Sequence, residues 1–396
     1  MELKFNFVAD RVVKGRIYPA LTTHEARPYT QAWREFGQRW PYTIPVRLQE
    51  YFGDHINIVN SSDHALPETS WYPIGLSFFD FTIDYVDLLG DALLSRVRNR
   101  ELKILFYYHE GDNPLRIKHR LDQLFERKGL DERHYVFISS NTSADHLSNF
   151  ITFHDFEQWY WHRNLTSVSQ PVIDQSRAQD FTVLNRLHKW WRFTVMSDLD
   201  QLGILEYSIW SYCHAPDVHE KKDDCPIEID LIPSLDQNYN KFASKIPHFS
   251  DDISDEDRNN HEITAEHHCL GSYCNIILES QFDVDQSGGA FLTEKTFKPI
   301  KYGQLFFVAG GPGSLQALRD LGYRTFDHIL DNEYDKETNA TRRWLLLRKA
   351  IMKAKQQGLR EIFSACIDDM QYNQHLFETG KEQRVNTLLR KINAHY

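Results

Sequence analysis

Between Asn275 and Gly322 the chain alternates short apolar runs with stretches of helical spacing, and that alternation restricts the fold more than any other feature of the sequence. Asn275-Ile-Ile-Leu278 reads as a strand that runs into Glu279-Ser280. Phe291-Leu-Thr-Glu294-Lys295-Thr-Phe-Lys298-Pro-Ile follows, an acid and a base side by side just ahead of an apolar segment. If this run opens a helix, Thr293 caps it and leaves backbone donors for an anion. Gln304 to Ala309 is again strand-like, Gly310-Gly-Pro-Gly-Ser314 is a tight turn, and Leu315, Leu318 and Leu321 share one helix face that stops at Gly322. Strand, loop, helix, strand and turn in this order describe a parallel α/β unit.

The same pattern occurs earlier. Lys4–Val8, His55–Val59, Leu102–Tyr108 and Tyr135–Ser139 are strand candidates, and Ile117, Leu121, Leu124 and Phe125 mark a helix that stops at Gly129. A second series starts near Phe181: strand Phe181–Leu184, a helix marked by Phe193, Met196, Leu199 and Leu202 that ends at Gly203, and strand Leu205–Tyr212. Residues 214–270 are polar and rich in Asp, Pro and His, and read as a partly irregular insertion. Residues from about 338 to 392 read as terminal helices, one of them able to return to the first domain. With 396 residues, two cores are expected. The division is 1–175, an α/β domain; 176–345, a second α/β domain carrying the 214–270 insertion; and 346–396, C-terminal helices. Two such domains facing across a cleft gather ligands at the carboxyl ends of their parallel strands.

Composition removes several function classes. A net charge of −11 disfavours a broad nucleic-acid surface. No apolar run approaches the length that spans a bilayer, and the N-terminus lacks a signal-peptide pattern. Five cysteines, few and odd in number, favour a reducing cytoplasmic location.

Three groups of residues carry candidate chemistry. Glu294 and Lys295 diverge by roughly 100° on a helix, so the carboxylate can take ribose hydroxyls while the ammonium meets phosphate. Arg186, with Lys189 and Arg192 close behind, lies between strand and helix, where a guanidinium can hold a pyrophosphate. In Phe106-Tyr-Tyr-His109-Glu110-Gly-Asp112, at a strand end, Glu110, Asp112 or His109 can take a proton from an acceptor hydroxyl. The glycine turn is neither a GxGxxG fingerprint nor a Walker loop. The aromatic patch Phe156, Trp159, Tyr160 and Trp161 suits packing or the acceptor cleft. No metal site is expected. Asp198-Leu-Asp200 falls inside a helix, Asp283-Val-Asp285 is a weak cation candidate, and His267, His268, Cys269 and Cys274 lack a paired zinc spacing.

Through these residues the chain resembles the two-Rossmann-domain (GT-B) glycosyltransferases, most closely the α1,3-fucosyltransferase family. Leu278-Glu279-Ser280 followed by Phe291-Leu-Thr-Glu294-Lys295 is similar to that family's donor signature. Val183-Leu-Asn185-Arg186 looks like its strand ending in Ser/Cys-Asn with a nearby arginine, and Phe106-Tyr-Tyr-His109-Glu110 is a looser match to its base-bearing segment. The resemblance implies donor contacts at Glu294 for the ribose and at Arg186 and Lys295 for the diphosphate; Lys189, Glu279, Gly311 and Ser314 are further candidates for holding the donor. It implies an inverting, metal-independent transfer with Glu110, Asp112 or His109 as base. No obligatory cofactor is implied. The cosubstrate is a nucleotide-sugar, of which GDP-fucose is one version, and the acceptor a glycan or another hydroxyl compound. Thr296-Phe-Lys298-Pro and the acidic insertion depart from the family pattern. The alternatives are a sugar-nucleotide epimerase, a carbohydrate-binding protein on a degenerate transferase fold, and a DNA glucosyltransferase.

Overall fold

The computed structural model describes residues 5–9, 11–13, 16–18, 53, 56–60, 65–76, 79–157, 176–213, 225–233, 235–250, 266–284 and 288–396. Trp159, Tyr160, Trp161 and Asp285 lie outside them, as do residues 214–224, 234 and 251–265 of the expected insertion. The chain forms two compact α/β units, Met1–Asp155 with Lys381–Tyr396, and Phe156–Gly380. The expected boundary near 175 borders residues 158–175, which are outside the described set.

The first unit is built on a six-stranded parallel sheet. Its strands are β1 (Phe5–Ala9), β4 (Ile56–Asn60), β5 (Ser70–Leu76), β6 (Lys103–Tyr108), β7 (Tyr135–Ser139) and β8 (Phe150–Thr152), in the order β4-β1-β5-β6-β7-β8. A short antiparallel pair, β2 (Arg11–Val13) and β3 (Arg16–Tyr18), follows β1. One face of the sheet is covered by α1 (Gly90–Arg98) and α2 (Pro114–Glu126), whose Leu94, Val97, Ile117, Leu121, Leu124 and Phe125 are buried with Ile104, Phe106 and Phe137. Asn113 starts α2 by accepting from Leu115 N at 3.0 Å, ahead of Pro114 at the first helical position.

β5 lies at the centre of this sheet, yet Pro73 and Gly75 hide it from a sequence search for strands. Proline is tolerated because β1 pairs only with Ser70 and Trp71, so Pro73 comes after that pairing has ended, where β5 is bonded to β6 alone.

The second unit has a four-stranded parallel sheet of β9 (Gln179–Asn185), β10 (Ser208–Tyr212), β11 (Ser272–Leu278) and β12 (Leu305–Ala309), in the order β10-β9-β11-β12. All residues of β11 and β12 are buried, as expected for parallel strands covered on both faces. The helices are α3 (Trp190–Gln201), α4 (Leu235–Ala243), α5 (Glu266–Gly271), α6 (Glu294–Lys301), α7 (Ser314–Asp320), α8 (Ala340–Gln357), α9 (Leu359–Ala365) and α10 (Ile367–Thr379). The insertion is therefore not wholly irregular, since α4 packs on α3 through contacts such as Phe193 with Phe242 at 5.4 Å.

The terminal helices divide between the units. α8 to α10 belong to the second, while α11 (Lys381–Ala394) joins the first, burying Val385, Leu388, Leu389 and Ile392 against Phe5, Phe7, Trp71 and Ile138 on the sheet face opposite α1 and α2. Tyr396 fixes the end of the chain: its hydroxyl accepts from Ser70 N at 2.9 Å and donates to Ser70 O at 3.2 Å. Among the described residues no helix is long and apolar enough to cross a membrane.

Candidate functional site

Both sheets have a point where neighbouring strands are connected in opposite directions. In the second it falls between β9 and β11, since β10 is added on one side and β12 on the other. The crevice outside the carboxyl ends of two such strands is where open α/β sheets bind ligands. β9 ends at Asn185 and leads into Arg186; β11 ends at Leu278 and leads into Glu279-Ser280. Two lysines, one capping α3 and one in the first turn of α6, converge here on one residue. Lys189 Nζ donates to Ser280 O at 2.7 Å, and Lys295 Nζ donates to Ser280 Oγ at 3.3 Å. Lys295 also donates to Thr293 Oγ1 and Glu294 Oε1, each at 3.1 Å. Its side chain is 30 % exposed, whereas that of Glu294 is 7 % exposed. Arg186 is half-buried at the start of the same edge.

Behind the lysines, Arg192 is buried and donates through Nε and Nη2 to Glu279 O at 3.2 and 2.6 Å. It locks the end of β11 to the first turn of α3. Lys298 lies one turn beyond Glu294 on α6 and is half-buried. Burial lowers its ammonium pKa, and the Glu294 carboxylate opposes that shift.

The helix starts on this edge are occupied by buried acids of the chain itself. Thr293 caps α6 as the sequence predicts, but Glu279 already occupies the anion position. Its fully buried carboxylate accepts from Ser280 N (3.1 Å), Thr293 N (3.0 Å), Thr293 Oγ1 (2.6 Å) and Thr296 Oγ1 (2.5 Å). A carboxylate has about four acceptor positions, so none is left for a ribose hydroxyl. Glu279 holds α6 in place.

Asp335 does the same at α7. Its carboxylate accepts from Leu315 N at 2.8 Å and Gln316 N at 2.9 Å, and Arg319 Nη2 lies 3.3 Å away. Burial raises the Asp335 pKa against those backbone bonds and the arginine. Ser314 is buried and donates to Gly311 O at 2.6 Å, so its hydroxyl closes the turn. Gly311 is required by close packing: a Cβ there would meet Gly289 O at 3.0 Å. We expect Asp335→Ala to cost about 2 kcal/mol of stability by uncapping α7. Urea unfolding of the variant checks this, and a change below measurement error would contradict the capping role.

Arg343 of α8 gave no signal in the sequence. It is buried, donates from Nε to Gly310 O at 3.1 Å and from Nη1 to Glu337 O at 2.9 Å, and also donates to Phe282 O. It joins the β12 turn to the loop after β11. Nothing local marks such a residue, because its partners are spread along the chain.

No family model matches this chain, and no curated protein matches it. Solved structures do. A glycosyltransferase from Rickettsia africae ESF-5 is similar across 99 % of this chain and 98 % of its own, at 10 % identity and a TM-score of 0.40. A likeness this loose bears on neither substrate nor site residues.

The expected base cluster lies in the first unit, in the loop after β6. His109 Nε2 is 3.5 Å from Glu110 Oε1, and the Glu110 side chain is 34 % exposed. Asp112 differs, because Oδ2 accepts from the buried Tyr108 hydroxyl at 2.5 Å. Burial, then the charges of Asp112 and Glu110, push the Tyr108 pKa well up, so that phenol stays a donor. Asn141 Nδ2 steadies the loop by donating to Gly111 O at 2.8 Å.

The aspartates of Asp198-Leu-Asp200 are both structural. Buried Asp198 accepts from Trp344 Nε1 and pairs with Arg348, each at 2.9 Å; Asp200 accepts from Lys245 at 2.5 Å. Phe156 packs edge-on against Phe291 with centroids 5.7 Å apart, which makes this part of the aromatic patch core.

Proposed function

We propose that the chain is a glycosyltransferase whose second unit holds a nucleotide-diphosphate sugar at the β9/β11 edge. The observation that carries this reading is the meeting of Lys189 and Lys295 on Ser280 at the strand-order switch of a parallel sheet. With Glu279 and Asp335 filling the helix starts, side-chain cations are left to grip the diphosphate. Lys189 and Lys295 do so as point charges and Arg186 as a bidentate partner. Glu294, beside Lys295 at the first turn of α6, is assigned to the ribose. Guanine is the base and fucose the sugar that the sequence resemblance favours, with a glycan hydroxyl as acceptor.

In this scheme the transfer is inverting and metal-independent. The acceptor oxygen forms a bond to the anomeric carbon as the bond to the diphosphate oxygen breaks. The electron pair leaves with the diphosphate, where the lysines neutralise it, and the acceptor proton passes to Glu110. Glu110 is preferred over Asp112 because Tyr108 occupies Asp112, while His109 lies beside Glu110.

Incubation with GDP-, UDP-, ADP- and CMP-sugars, with and without EDTA, tests the reading. Consumption of one diphosphate sugar, unchanged by EDTA, is expected. Consumption of none, with glycan still bound, would replace it with a binding protein. Glu110→Gln should cut turnover by about 10²–10⁴-fold with nucleotide affinity kept, and Asp112→Asn should cost much less. Equal losses in the two variants would remove Glu110 from the role of base.

A further inference from the structure

His328, Cys366 and Asp369 each present a ligand atom within 4.8 Å of the others, in the second unit. They come from two places in the chain. His328 is in the loop after α7, and Cys366 and Asp369 are at the junction of α9 and α10. Part of this arrangement has an ordinary explanation. Arg324 Nη1 pairs with Asp369 Oδ1 at 2.8 Å, and His328 Nδ1 lies 3.5 Å from Asp369 Oδ2, which together make a plain surface ion-pair group.

The thiol is not explained in this way. Cys366 is the N-cap residue of α10, a position that favours Ser, Thr, Asp or Asn, and its side chain makes no cap hydrogen bond. It is fully buried and turned toward the imidazole and carboxylate. Nor does it suit nucleophilic chemistry, since burial and then the Asp369 charge push its pKa up to about 12.

We propose that His328 Nδ1, Cys366 Sγ and Asp369 Oδ2 form a binding site for a borderline-soft divalent cation of the zinc type, with water completing a tetrahedron. One nitrogen, one thiolate and one carboxylate oxygen are a donor set such a cation accepts, and a hard cation such as magnesium would not take the sulfur. Binding forms the metal–sulfur bond and releases the thiol proton to solvent. The bound dication is then balanced by thiolate and carboxylate, while Arg324 stays on the other carboxylate oxygen. The site would tie the loop after α7 to the start of α10. That loop contains Phe326, a buried non-glycine residue at φ 61°, in the left-handed region. The site plays no part in the transfer scheme above, so transfer activity can fail or succeed independently of it.

Cobalt(II) tests the proposal on the full chain, because a cobalt–thiolate bond gives a near-ultraviolet charge-transfer band that oxygen and nitrogen ligands do not. One equivalent of cobalt should produce the band, and zinc should displace it. Cys366→Ser should abolish the band, although the other four cysteines remain. His328→Ala, at a side chain 56 % exposed and so without consequence for folding, should weaken cobalt binding by at least about tenfold. Absence of the band in the wild-type chain, its survival in Cys366→Ser, or unchanged affinity in His328→Ala would each overturn the site.

Discussion

Glu279→Ala should lower the stability of the second unit by about 4 kcal/mol, the largest loss expected from any single polar substitution near the site. Removing the carboxylate leaves the hydroxyls of Thr293 and Thr296 and the Thr293 N–H buried without their acceptor, and opens a void behind α6. Glu279→Gln keeps the volume and one acceptor oxygen, and should cost only about 1–2 kcal/mol. Urea unfolding followed by tryptophan fluorescence separates the two variants. If the alanine variant lost less than the glutamine variant, the carboxylate would not be holding the helix.

Lys295→Ala makes the opposite pairing of effects. Its side chain is partly exposed and bonded only at its tip, so stability should stay within about 0.5 kcal/mol of the parent chain. Activity should fall steeply, because the role proposed for the ammonium is to meet the charge that develops on the leaving diphosphate. A decrease in kcat/KM of about 10²–10³-fold is expected, of the order found when one preorganised donor is removed. Near-normal transfer by this variant would place the diphosphate elsewhere.

These two residues also show how far the sequence could be read. The strands of β6, β7, β9, β11 and β12 were legible as apolar runs, and Lys295 was legible as a charge beside them, because both signals are local. The structural role of Glu279 was not legible because its partners, 14 to 17 residues away, are brought to it only by the return of α6. Asp335 follows α7 in the chain, and nothing in the glycine turn announces that an acid 20 residues on will cap that helix. The sequence therefore left the start of α6 open to an anion, where the folded chain has it occupied by Glu279. The occupied start matters for the proposed function, since it leaves the anion grip to Lys189, Lys295 and Arg186. The order of the strands, which locates the crevice, is a property of pairing and no single segment contains it. β5 shows the same limit from the other side, with Pro73 obscuring a central strand that only its neighbours' register makes permissible.

The most direct test is calorimetric titration of GDP, UDP and ADP into the parent chain and into a Lys189→Ala/Lys295→Ala double variant. One saturable site for at least one of these diphosphates, weakened by at least about tenfold in the double variant, is the result this arrangement predicts. Failure of all three to bind the parent chain, or equal affinity in the two proteins, would contradict the assignment of the β9/β11 edge to a nucleotide-diphosphate sugar.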